Sequence, residues 1–111
     1  MRRLAVVALL IASPAAAHSH HQGHGVPWCG IYMMEKTGIH GPGNLAMARE
    51  WAHIGSPASP GPGVIVVWPH HVGMITGRQG DQWTVESGND GGRVRNRARS
   101  IAGAIAFRRV G

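Results

Sequence analysis

The sequence predicts an α+β domain, with two N-terminal helices packed on a four- to five-stranded antiparallel sheet. Three observations predict it. Residues 45–54 carry apolar side chains at helical spacing. The run Val64–Trp68 (VIVVW) is unbroken and β-branched. Two further strand-like runs, Val72–Thr76 and Gln82–Ser87, flank a turn over Gly77–Asp81.

Taken in order, Trp28–Thr37 (WCGIYMMEKT) is the first predicted helix, with Pro27 at its first turn and Gly38 as its stop. Gly30 weakens that helix. Gly41-Pro42-Gly43 makes a turn, after which Asn44 and Gly55 cap a second helix over Leu45–Ile54. Leu45, Ala48, Trp51 and Ala52 share its apolar face. Ser56–Gly63 (SPASPGPG) reads as a loop. Val64–Trp68 is a central strand covered on both faces and ended by Pro69. The hairpin follows, then a turn over Gly88–Gly92, a short strand near Val94 and a last one within Ile101–Val110.

The chain of 111 residues holds one domain at most. Residues 1–17 read as a secretory signal peptide: Arg2 and Arg3 open it, Leu4–Ala12 is apolar, and Ala15-Ala16-Ala17 suits cleavage. Those nine apolar residues fall short of the roughly 20 a membrane span needs, so no transmembrane segment is expected. A secreted or periplasmic location follows. A hydrophobic fraction of 43% excludes a disordered tail, and 17 glycines with 7 prolines predict many turns. The net charge of +6 suits acidic polymers of a cell envelope, while the leader argues against a nucleic-acid partner.

Cys29 is the sole cysteine, so no internal disulfide can form. An exported domain with a single cysteine keeps it inert in the core, pairs it with another chain, or uses it. Cys29 falls where a helix begins, and free amide N–H groups there favour a thiolate. The expectation is a thiol pKa below the ordinary value. A nucleophilic thiol needs a base, and His70 or His71, entering the hairpin, can supply it. With the turn centred near Gln79, His71 lies opposite Ser87 or Gly88, with Glu86 and Asn89 close by. This geometry nominates residues 86–89 to orient the imidazole without choosing among them.

The pieces PWCG at 27–30, NLAMAREW at 44–51, PGVIVVW at 62–68, HVGMITG at 71–77 and ESGN at 86–89 together resemble the papain-like cell-wall hydrolases of the NlpC and CHAP type. The resemblance implies a minimal papain-like domain over 27–111 that cleaves amide bonds in peptidoglycan without a cofactor. It implies Cys29 as nucleophile, His71 as base, and Asn89 as the orienting residue with Glu86 the alternative. One departure is Gly63-Val64, where such sequences often carry Gly-Asp.

Trp28, beside the nucleophile, is a candidate substrate-binding residue, although four tryptophans in so small a domain suit core packing. Arg93, Arg95, Arg97 and Arg99 alternate, so an extended chain presents all four on one face, either to an anionic polymer or as a solvated edge. Residues 18–26 form a His-rich tail. Cleavage after Ala17 would leave His18 at the N-terminus and His20 in third place, a four-nitrogen chelate for Cu(II) or Ni(II). Two other functions therefore stand beside the hydrolase: a periplasmic copper or nickel carrier, and an inactive relative that binds wall peptides.

Overall fold

A computed structural model describes residues 27–111; the predicted signal peptide (1–17) and His-rich tail (18–26), with His18 and His20, lie outside them. The described chain is one α-helix, one 3-10 helix and a six-stranded antiparallel sheet. The α+β class holds, and the sheet is larger than the predicted four to five strands. No helix among the described residues is long and apolar enough to cross a membrane.

Helix α1 (Cys29–Thr37) begins one residue later than predicted, with Trp28 as its N-cap and no side chain capping it. Gly38 ends it in the left-handed region at φ 76°, its N–H donating to the Met34 carbonyl. Gly30 lowers helix propensity but is required by packing. A Cβ there would overlap the Leu45 and Ala46 carbonyl oxygens, so only glycine lets α1 lie against that segment.

The second predicted helix, Leu45–Ile54, is instead a 3-10 helix over Ala48–His53. The buried residues are Leu45, Ala48, Trp51 and Ile54, spaced by threes, and a repeat of three is the period of a 3-10 helix. The Leu45 carbonyl is also taken by the Trp51 indole, which donates to it at 2.8 Å. Met47 is extended at φ −91°, ψ 124°, which separates the turn at Asn44, closed by the Met47 N–H donating to the Asn44 carbonyl at 3.0 Å, from the 3-10 helix that follows.

The strands are β1 (Ser56–Pro57), β2 (Val64–Trp68), β3 (His71–Gln79), β4 (Gln82–Ser87), β5 (Arg95–Arg99) and β6 (Ala106–Arg109), in the spatial order β1-β6-β2-β3-β4-β5. The unpredicted strand is β1, two residues inside the proline-glycine loop that pair with Arg108 and Arg109 of β6. Proline is tolerated there because β1 is an edge. The Arg108 guanidinium also donates to the Ile54 and Gly55 carbonyls at 2.7 and 2.8 Å, pinning the chain that leads into β1.

Strand β2 lies between β6 and β3 and is buried on both faces. Ile65 and Val67 join Val72, Met33, Leu45, Trp51 and Cys29 in the core under α1. Val64 and Val66 join Ile75 and Val85 on the other face, flanked by Trp68, Trp83, Ile101 and Phe107. The segment from Ile101 to Ala104 crosses that second face, where the Ala102 carbonyl accepts the Trp68 indole N–H at 3.0 Å. Burial of this β-branched run is worth about 1.5–3 kcal/mol per side chain before chain entropy is subtracted.

Candidate active site

The first component is Cys29, the opening residue of α1. It is 1% exposed and packs beside Val72. The backbone N–H groups of Val72, Gly30 and Cys29 itself all favour its thiolate. Burial outweighs them and pushes the thiol pKa up. The sequence-based expectation of a lowered thiol pKa is therefore reversed, because the helix start lies under other residues instead of opening to water.

The second component is His71, the first residue of β3, placed by the tight hairpin in which Trp68 pairs with His71. Alternation along β3 sends Val72 into the core under α1 and the His71 ring to the other side of the strand. There the ring lies 5.8 Å from the Trp68 ring, tilted by 43°. Its Nε2 is 2.9 Å from the Ser87 hydroxyl. Burial lowers the His71 pKa, positive Arg99 and Arg97 lower it further, and Asp90 opposes them. Among the described residues, no hydrogen bond joins the Cys29 thiol to the His71 ring. The thiol meets the backbone of Val72, one residue along from His71.

The His71 ring is hydrogen-bonded to Ser87, while the residues named from sequence to orient it, Asn89 and Glu86, stand elsewhere. The hairpin turns between Gln79 and Gln82, later than assumed, and its register shifts between Ile75 and Gly77. Met74 consequently faces Glu86. Glu86 accepts the Tyr32 hydroxyl and pairs with Lys36 at 3.1 Å, tying β4 to α1. The Tyr32 hydrogen bond is the main reason its carboxyl pKa is lowered. Asn89 stands at φ 56° in the turn that follows, a conformation asparagine tolerates well. Ser87, fully buried, is left as the group that holds the ring. Gly73 makes this possible, since a Cβ at that position would press on Val85 at 2.6 Å and Ser87 at 3.1 Å.

A charged cluster stands behind the histidine. Asp90, 6% exposed, receives Arg97 in a two-point contact at 2.7 and 2.9 Å, with Arg99 at 3.6 Å. The Arg99 guanidinium also lies 4.7 Å from the Trp68 ring centroid. Two of the four alternating arginines are therefore committed to one buried carboxylate, while Arg93 and Arg95 are exposed. Neither Ser87 nor Asp90 was singled out for a role by sequence. Their signal was the 86–89 stretch opposite the histidine and the acidic residue directly after it.

Trp28 is 3% exposed and packs against Gly88, so it belongs to the buried wall beside Cys29. A cleft of about 360 Å³ lies on the other side of that position, between Pro27, Met47, Arg49 and the Pro69-His70 turn. Among the described residues, no group of three His, Cys, Asp or Glu side chains is placed to hold a metal ion. No protein-family model, no curated protein and no solved structure matches the chain.

Proposed function

We propose that the protein is an exported thiol hydrolase that cleaves amide bonds in peptidoglycan, with Cys29 as nucleophile and His71 as base. The observation that carries this reading is the placement of the only thiol at a helix start, against the N–H of the residue that follows His71. The substrate class rests on the resemblance to cell-wall hydrolases, which is an analogy.

Because burial raises the thiol pKa and lowers that of His71, the resting pair is neutral. The His71 ring stands on the face of β3 opposite to Val72 and the thiol, with Nε2 against Ser87, so the proposed proton transfer requires the His71 side chain to turn toward Cys29. The unprotonated ring nitrogen then takes the thiol proton as sulfur attacks the amide carbonyl carbon. The backbone N–H of Cys29, at the helix start, supports the oxyanion. The imidazolium then protonates the departing amine, and the C–N bond breaks to leave a thioester. Water, losing its proton to His71, attacks the thioester carbonyl and releases the carboxylic acid and the thiol. These steps need no cofactor. A copper or nickel site at His18 and His20 would act separately.

The test is digestion of purified peptidoglycan by wild type, Cys29→Ala and His71→Ala, read by mass spectrometry. Fragments with new amino and carboxyl ends are expected from wild type alone. Their absence overturns the reading. A second reading, an inactive binder of wall peptides, is favoured by the burial of Cys29 and the lack of a thiol–imidazole hydrogen bond. It predicts peptidoglycan binding without any fragments.

A further inference from the structure

The cleft beside the candidate nucleophile has a composition that selects a substrate. Its walls come from three places: Pro27 just before α1, the entry to the 3-10 helix with Met47 and Arg49, and the turn Pro69-His70 between β2 and β3. Each wall is within two residues of Cys29 or His71, or packs against α1 itself, since the Ala46 carbonyl meets the backbone at Gly30. The volume of about 360 Å³ is at the small end of the roughly 300–1,000 Å³ typical of ligand sites, enough for a short stretch of peptide.

The cleft combines an apolar lining with the Arg49 guanidinium and the His70 ring. Met47 is 51% exposed, one of the few large apolar side chains the described domain leaves in solvent. Arg49 is exposed, and its Nε donates to the Pro69 carbonyl at 3.4 Å, which bridges the mouth. That contact uses one edge of the guanidinium and leaves the two Nη groups, a planar fork suited to a carboxylate. His70, also exposed, adds a ring donor. No aspartate or glutamate lines the cleft; Arg49 and Pro69 also border the neighbouring depression, which holds Glu50, His53 and Ile105.

We propose that this cleft binds the peptide next to the bond to be cut, and that Arg49, assisted by His70, selects a substrate carrying a free carboxylate there. This rests on the thiol-hydrolase reading for the position of the bond. The apolar lining holds the adjacent aliphatic part of the chain, and Met47 adapts to its shape. A carboxamide in the same place loses the charge-assisted pair with the guanidinium and keeps only a weak acceptor.

The experiment uses Cys29→Ala protein, which cannot turn over, and two probes. One is L-Ala-γ-D-Glu-L-Lys. The other is the same peptide with the α-carboxyl of its glutamate converted to a carboxamide. Titration calorimetry should show the acid binding about tenfold tighter, the scale of one charge-assisted contact. Adding Arg49→Gln should abolish the difference, and Arg49→Lys, which keeps the charge, should retain part of it. Circular dichroism of each variant verifies the fold. Equal affinity for both probes, or a preference that survives Arg49→Gln, overturns the proposal. Wild-type turnover separates the two levels. Cleavage of both peptides at equal kcat/KM keeps the hydrolase and removes the carboxylate selection. A binding preference without cleavage keeps the selection and removes the hydrolase.

Discussion

The ring of His71 and the hydroxyl of Ser87 face each other across the β3–β4 hairpin, Nε2 to Oγ at 2.9 Å, over a position where Gly73 has no side chain. Ser87 therefore anchors the ring at Nε2, and the surrounding residues lower its pKa.

Ser87→Ala should lower kcat by about tenfold or more while changing KM little, because the loss is in positioning the base for the transition state. Asn89→Gly should be nearly neutral, since it restores a residue at ease at φ 56°. Glu86→Gln should loosen α1 from β4 and lower the melting temperature slightly, with kcat nearly unchanged. Steady-state kinetics on solubilised peptidoglycan fragments checks the ranking. A large kcat loss at Asn89 or Glu86 with none at Ser87 would return the orienting role to those residues.

A neutral Cys29–His71 pair has a distinct pH signature. With the His71 pKa below its ordinary value, the base is already unprotonated at neutral pH, and kcat/KM should fall only on acidification below about pH 6.5. With the thiol pKa raised, Cys29 should react slowly with iodoacetamide at neutral pH and faster as pH rises above about 8.5. The same shifts act on stability. His71 contributes stability above its unfolded value that is lost as pH falls through its folded one, and Cys29 contributes stability that is lost as pH rises through its folded value. Rapid alkylation at pH 6 would show a thiolate and remove the neutral pair.

Asp90 is a buried carboxylate held by Arg97 and Arg99. Its pKa is lowered, first by the Arg97 hydrogen bond, so its contribution is present above the unfolded value near pH 4 and is lost as pH falls through the folded one. Asp90→Asn should cost about 1–2 kcal/mol at neutral pH, at the lower part of the range for a charged hydrogen bond because Arg97 is 40% exposed to screening solvent. The variant's urea midpoint should also vary less between pH 3 and 6 than that of wild type. With the counter-charge to Arg99 and Arg97 gone, the His71 pKa should fall further, which an NMR titration of the ring would show.

Gly88→Ala tests how the turn after β4 is seated on α1. A Cβ there would come within 2.6 Å of Tyr32 and 2.9 Å of Trp28. The overlap should destabilise the domain by about 1–3 kcal/mol and displace Ser87 beside it. Gly61→Ala, where a Cβ meets open space, is the matched control and should change the melting temperature little. Equal effects at both positions would show that the turn yields freely.

The α+β class, the helix at Cys29 and the strand VIVVW were legible in the sequence because each is written locally, in a stop glycine, a β-branched run and turn residues at fixed offsets. So was the pairing of residues 86–89 with the histidine's end of the hairpin, which follows from strand alternation and loop length. The tertiary structure decided what depends on contacts between distant segments. The pressure of α1 on the Leu45 and Ala46 carbonyls, together with the Trp51 indole, accompanies a 3-10 helix where the sequence suggested an α-helix. The register shift between Ile75 and Gly77 put Glu86 opposite Met74 and left Ser87 to the histidine, since a slip of one residue exchanges the faces of a strand. Burial set the titration of the thiol. A helix start favours a thiolate only when the anion keeps solvent or partners, and at Cys29 the packing of Val72 and its neighbours outweighs three backbone N–H groups.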